Sequence, residues 1–131
     1  MKTKRLALLG TTLALLIVAG PLSAHHGKGA FETEKLTVVK GTVTKFAFIN
    51  PHALVYVDVK GDKGDLEHWI AESNSLNHLH RGGYDKDSLK AGDQVVVTGQ
   101  RSRNGTFTLD LQCQECSVKD LQGKVLLGYY F

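Results

Sequence analysis

Six histidines and two cysteines are the side chains of this 131-residue chain best suited to holding a metal ion: His25, His26, His52, His68, His78, His80, Cys113 and Cys116. The first pair has a special chemistry if the chain is cut after Ala24. His25 then offers an α-amine and an imidazole from one residue, and those two nitrogens can chelate one ion. A third nitrogen from His26 or His52 completes a set that suits Cu(II). The competing account is a loose polar tail that merely follows a cleavage site. His52 follows Asn50-Pro51, where proline stops a strand ladder and pushes its predecessor to extended geometry. A histidine at such a corner either presents its ring to a ligand or hydrogen-bonds the adjacent backbone.

The remaining candidates are weaker. His78 and His80 are two apart, so on a helix they diverge by roughly 200° and share no face. Solvated helix histidines are the plain account of them, and a second Zn, Cu or Ni site joined by His68 is the sharper one. Cys113-Gln114-Glu115-Cys116 has the spacing of a redox pair or of half a zinc site. An all-thiolate zinc site needs four cysteines, and a mixed site would have to recruit distant histidines. The motif follows a strand instead of opening a helix, so the dipole that would lower a thiol pKa is missing. A local disulfide that pins a turn is the expectation, with a Cu(I)-binding dithiol as the alternative. No Cys-x-x-Cys-His occurs, which excludes haem attachment by that motif.

Signals for catalysis are poor. The chain has no Gly-x-Ser-x-Gly, no His-Glu-x-x-His and no phosphate loop. Asp58, Glu67, Glu72 and Asp110 can pair as carboxylates in space, but sequence does not say which meet. Phe46, Phe48, Trp69, Tyr129, Tyr130 and Phe131 supply aromatics for packing or for a stacking platform.

The elements that must position these residues read as short strands. Period-two alternation predicts strands over 36–49, 53–60, 66–72, 94–100 and 106–112, with a last short pair near 117–119 and 124–127. Gly41 inside the first strand marks a bulge or bend. Residues 73–81 read as a short helix capped by Ser73 or Asn74 and ended by Gly82-Gly83. Turns fall at 61–65 and 87–93, and Asn104-Gly105 signals a hairpin. Three strands, a helix and two strands is the order of an oligonucleotide/oligosaccharide-binding (OB) barrel. The expected fold is therefore all-β with one short helix, a small five-stranded barrel. An open β-sandwich is the alternative.

Residues 1–24 stand apart. Lys2, Lys4 and Arg5 precede an apolar run over 6–19 and a small-residue exit, Gly20-Pro21-Leu22-Ser23-Ala24. This is the pattern of a secretory signal peptide, so the expected location is the periplasm or the exterior, with no stable membrane anchor after cleavage. The segment holds three of the 16 Lys+Arg and none of the 13 Asp+Glu, which leaves a neutral single domain over 25–131. A nucleic-acid partner gains nothing from that charge. An oxidising compartment permits the disulfide.

Several of these pieces together resemble a family of exported bacterial proteins known only as a domain of unknown function. They are Ala24-His25-His26, Gly41-x-Val43-x-x-Phe46, Asn50-Pro51-His52 and Tyr56-Val57-Asp58-Val59, with Trp69, Arg81-Gly82-Gly83 and the run from Asp87 to Val95. The resemblance spans nearly all of 25–131. It implies a small periplasmic β-barrel, draws attention to His25, His26 and His52, and brings no activity. His78-Leu79-His80 and the cysteine pair are not part of its pattern. The leading expectation is a metal-binding or metal-handling protein, most plainly for copper, with no catalytic role. The alternative is a barrel that binds a small solute or a protein partner.

Overall fold

The computed structural model describes residues 27–130. Seven strands form one sheet: β1 (Thr37–Ala47), β2 (Leu54–Lys60), β3 (Leu66–Glu72), β4 (Gln94–Arg101), β5 (Thr108–Asp110), β6 (Ser117–Asp120) and β7 (Val125–Gly128). One helix, α1 (Leu76–Arg81), lies between β3 and β4. The strand order is β1-β2-β3-β5-β4-β6-β7, and β1 also pairs with β4. That extra pairing closes β1, β2, β3, β5 and β4 into a five-stranded barrel. The open sandwich is thereby excluded.

Alternation explains which side chains fill the barrel. Val55, Val57 and Val59 of β2 point inward, as do Trp69 and Ala71 of β3 and Val95 and Val97 of β4. Val39, Val43 and Ala47 do the same from β1, and Leu109 from β5. Leu79 of α1 and Leu89 of the following loop add to the same core. The helix begins later than its sequence signals: Ser75 is the cap, its hydroxyl accepting from the His78 N–H at 3.4 Å, and Gly82 ends it. β5 also starts late, because the Thr106 N–H and hydroxyl both donate to the Asn104 side-chain oxygen. A side chain that satisfies the local backbone in this way competes with the ladder.

β1 pairs with β2 on one edge and β4 on the other, and Gly41 sits in both registers, opposite Val59 and Val95. The register shift in β1 comes just after Gly41, between Val43 and Lys45. Gly41 itself marks a close approach: a Cβ there would lie 2.2 Å from the Asp58 carbonyl oxygen and 2.8 Å from a Val57 methyl. Both neighbours are held by the sheet, so they cannot give way.

Chain order then places two segments at one end of the barrel. β5 and β6 lie end to end along β4, but the register jumps: Asp110 faces Gln100 while Ser117 faces Thr98. Regular pairing would have placed residue 112 opposite Thr98, so five extra residues loop out, and the Cys113–Cys116 disulfide closes that loop. The entering chain, including a 3-10 turn over Lys28–Ala30, is tied to the end of β4. The Glu32 N–H donates to the Arg101 carbonyl at 2.8 Å, the Arg103 N–H to the Ala30 carbonyl at 2.9 Å, and Phe31 bridges to Ser102.

Gly41→Ala is expected to destabilise the chain by about 1–3 kcal/mol, the usual cost of overpacking a fixed site. Urea unfolding measures it, and Gly29→Ala, with open space at its Cβ position, is the matched control expected to change little.

Candidate functional site

A cavity of about 710 Å³ opens at the barrel end just described. His52, Glu72, Asp110, Gln112 and Arg103 line it, together with Gly27 and Gly29 of the entering chain and Tyr129. Each arrives by a distinct route. His52 lies in the connection between β1 and β2, whose ends pair at Ala47 and Leu54. That connection is tied down at both sides: the Ala53 N–H donates to the Asn74 carbonyl and the Ser73 N–H to the Ala53 carbonyl. Asn50 accepts from the Leu76 N–H at 3.3 Å. Glu72 is the last residue of β3, and Asp110 the last of β5, directly opposite it in a parallel ladder.

His52 Nδ1 is in contact with the Glu72 carboxylate. Both side chains are partly enclosed, 31% and 21% exposed. A carboxylate on one ring nitrogen sets the tautomer and the ring direction, and it raises the basicity of the other nitrogen. Asp110 is half-buried, and burial is the first cause that raises its pKa above the usual 3.8; the nearby Glu72 charge pushes the same way. Hydrogen bonds from Gln112 and the proximity of His52 act in the opposite direction. Arg103 lines the cavity but is committed elsewhere: Nε donates to the Phe31 carbonyl at 3.0 Å and Nη2 to Glu34 at 2.8 Å. Among the described residues no lysine or arginine forms an ion pair with Glu72 or Asp110.

The other sequence candidates are dispersed. His68 is on the barrel exterior, paired to Asp58 at 2.6 Å. His78 and His80 diverge on α1 as their spacing requires: His78 packs against Tyr129, with ring centroids 5.3 Å apart, and His80 against Phe48 at 5.2 Å. His78 Nε2 is enclosed with no hydrogen-bond partner among the described residues. Cys113 and Cys116 are joined as a disulfide, so they do not stand as thiolates, and Cys113 forms part of the cavity wall. Glu67 accepts from the Trp69 indole N–H at 2.8 Å. His25 and His26 lie outside the described residues, as do the signal-peptide segment 1–24 and Phe131. Among the described residues no three His, Cys, Asp or Glu side chains are arranged to hold a metal ion by themselves.

Of the four carboxylates weighed in the sequence, only Glu72 and Asp110 are on this cavity. Their separation of 38 positions hides the contact, and only the β3–β5 register reveals it.

Comparison with known proteins adds a family. The model of a family of unknown function, DUF6152, matches residues 13–109. The chain belongs to this family. The match takes in His25, His26, His52 and Glu72, and it ends one residue before Asp110, short of the cysteine pair and of β6 and β7. No curated protein matches the chain.

The raised Asp110 pKa has a consequence for stability. Its ionised form is disfavoured only when folded, so Asp110 opposes folding once the pH rises above the ordinary carboxyl value of 3.8. Asp110→Asn, without added metal, is therefore expected to be more stable than the parent at pH 7. Urea unfolding across pH should show the gain shrinking as the pH falls toward and below 3.8.

Proposed function

We propose that this chain is a periplasmic copper-binding protein whose metal site is completed at the cavity by His25, His26 and His52. The observation that carries the reading is that Gly27, the residue bonded to His26, lines the same cavity as His52. Successive Cα atoms are about 3.8 Å apart, so two histidines precede the cavity wall by one and two residues. Three further points support it. Glu72 orients His52 in the way that carboxylates orient metal-binding histidines. Two half-enclosed carboxylates side by side repel each other, and a cation would relieve that repulsion. An amine and imidazoles are donors for Cu(II) in preference to Ca(II) or Mg(II), which take oxygen.

Removing residues 1–24 exposes the His25 amine, so binding and export are linked in this account. The disulfide agrees with an oxidising compartment. No catalytic role is proposed. A second reading, a barrel that binds a small organic solute, is favoured by one observation: the cavity is far larger than one ion needs and falls within the roughly 300–1,000 Å³ of small-molecule sites.

His52→Gln in the chain beginning at His25 separates them. A competition titration with Cu(II) is expected to show binding weakened about tenfold or more by loss of one nitrogen donor. Equal affinity in both proteins would contradict the copper reading. The solute reading predicts only weak copper binding in either.

A further inference from the structure

We propose that the cavity takes a small hydroxylated amine, of amino-alcohol or amino-sugar type, with its ammonium group at Asp110 and one of its oxygens accepting from Asn74. The inference rests on the second reading above, that the cavity binds an organic solute, and it gives that solute a chemical class.

The charges on the wall decide the sign of the ligand. The charged and titratable side chains lining the cavity are His52, Glu72, Arg103, Asp110 and Tyr129. Arg103 is balanced by Glu34, 2.8 Å from Nη2. His52 is in contact with Glu72, so a charged imidazole would balance that one carboxylate and no more. Among the described residues the hydrogen bonds to the Asp110 carboxylate come from neutral donors, the N–H and the side chain of Gln112. One negative charge therefore remains uncompensated in a half-buried position. An ammonium group supplies both the missing positive charge and N–H donors, and charge-assisted hydrogen bonds of this kind are the strong ones.

A second, independent observation calls for an oxygen on the same ligand. Asn74 lines the cavity, and its Nδ2 is enclosed with no acceptor among the described residues. An enclosed donor is costly to leave unpaired, and a ligand hydroxyl or carbonyl oxygen would satisfy it. The backbone around Asn74 is fixed, since its carbonyl accepts from the Ala53 N–H at 3.0 Å. Gln100 faces Asp110 across the β4–β5 ladder and adds a second carboxamide to the wall. Phe31 and Tyr129 supply aromatic surface for the carbon skeleton, and aromatic rings also attract an ammonium group.

The test is isothermal titration calorimetry of the chain beginning at His25, with a chelator present so that copper plays no part. The probes are glucosamine and ethanolamine, with glucose as the uncharged match to the first. Glucosamine is expected to bind with millimolar affinity or tighter, about tenfold or more tighter than glucose, with ethanolamine also ahead of glucose. Asp110→Asn, expected to fold at least as well as the parent, should weaken glucosamine about tenfold and leave glucose unchanged. Glucose binding as tightly as glucosamine would overturn the inference while the solute reading stands. An unmoved glucosamine affinity in Asp110→Asn, with its fold confirmed by circular dichroism, would overturn the role given to that carboxylate. Binding of none of the three would overturn the inference and remove support from the solute reading, leaving the copper titration to be judged by itself.

Discussion

Pairing of β1 with both β2 and β4 is the constraint on which the rest of this molecule depends. It turns an open sheet with two exposed edges into a closed barrel, and closure is the thorough way to remove edges. Gly41 and Thr42 take part in both ladders, and at Gly41 the Asp58 carbonyl and Val57 methyl approach so closely that no side chain fits. Once the barrel closes, the β1–β2 connection and the ends of β3 and β5 must share one rim. His52, Glu72 and Asp110 arrive together by topology, though the first and last are 58 positions apart. The entering chain completes the rim because its backbone is hydrogen-bonded to residues 101–103 at the end of β4.

The rim is built against local stability. Glu72 and Asp110 are cross-strand neighbours in a half-enclosed setting, where burial first and the Glu72 charge second disfavour ionisation of Asp110. A barrel selected only for stability would place a lysine or an apolar residue there. The concentration of such costs at a cavity, beside an oriented imidazole, is the usual mark of a functional site. Among the described residues of the exterior, Asp58 and His68 pair in solvent, and Glu67 serves the Trp69 indole.

Much of the fold was legible from alternation. Residues 66–72 coincide with β3, where Trp69 and Ala71 face inward while Leu66 and His68 face out, and the order of elements already implied the barrel. Boundaries slipped where side chains capture the backbone: Asn104 delays β5, and Ser75, not Ser73 or Asn74, caps the helix. Gly41 reads as a bulge or bend, and a register shift follows it between Val43 and Lys45; its close contact with the neighbouring strand is what sequence cannot show. The site was half visible. His52 stood out by its place after proline, and the spacing of His78 and His80 rightly implied that they diverge. Glu72 and Asp110 were only two of four unassigned carboxylates, because their partnership depends on the parallel register of β3 with β5. β6 and β7 run on from a disulfide-closed loop, and that five-residue excursion could be found only from the pairing on β4.

The central claim is that a free His25 terminus and His52 hold one copper ion at this cavity. Electron paramagnetic resonance of the Cu(II)-loaded chain beginning at His25, beside the same chain with one extra N-terminal residue, tests it most directly. The account predicts one tightly held ion with a multi-nitrogen pattern in the first protein, and loss of that pattern in the second. Identical spectra and equally weak binding in both would contradict it.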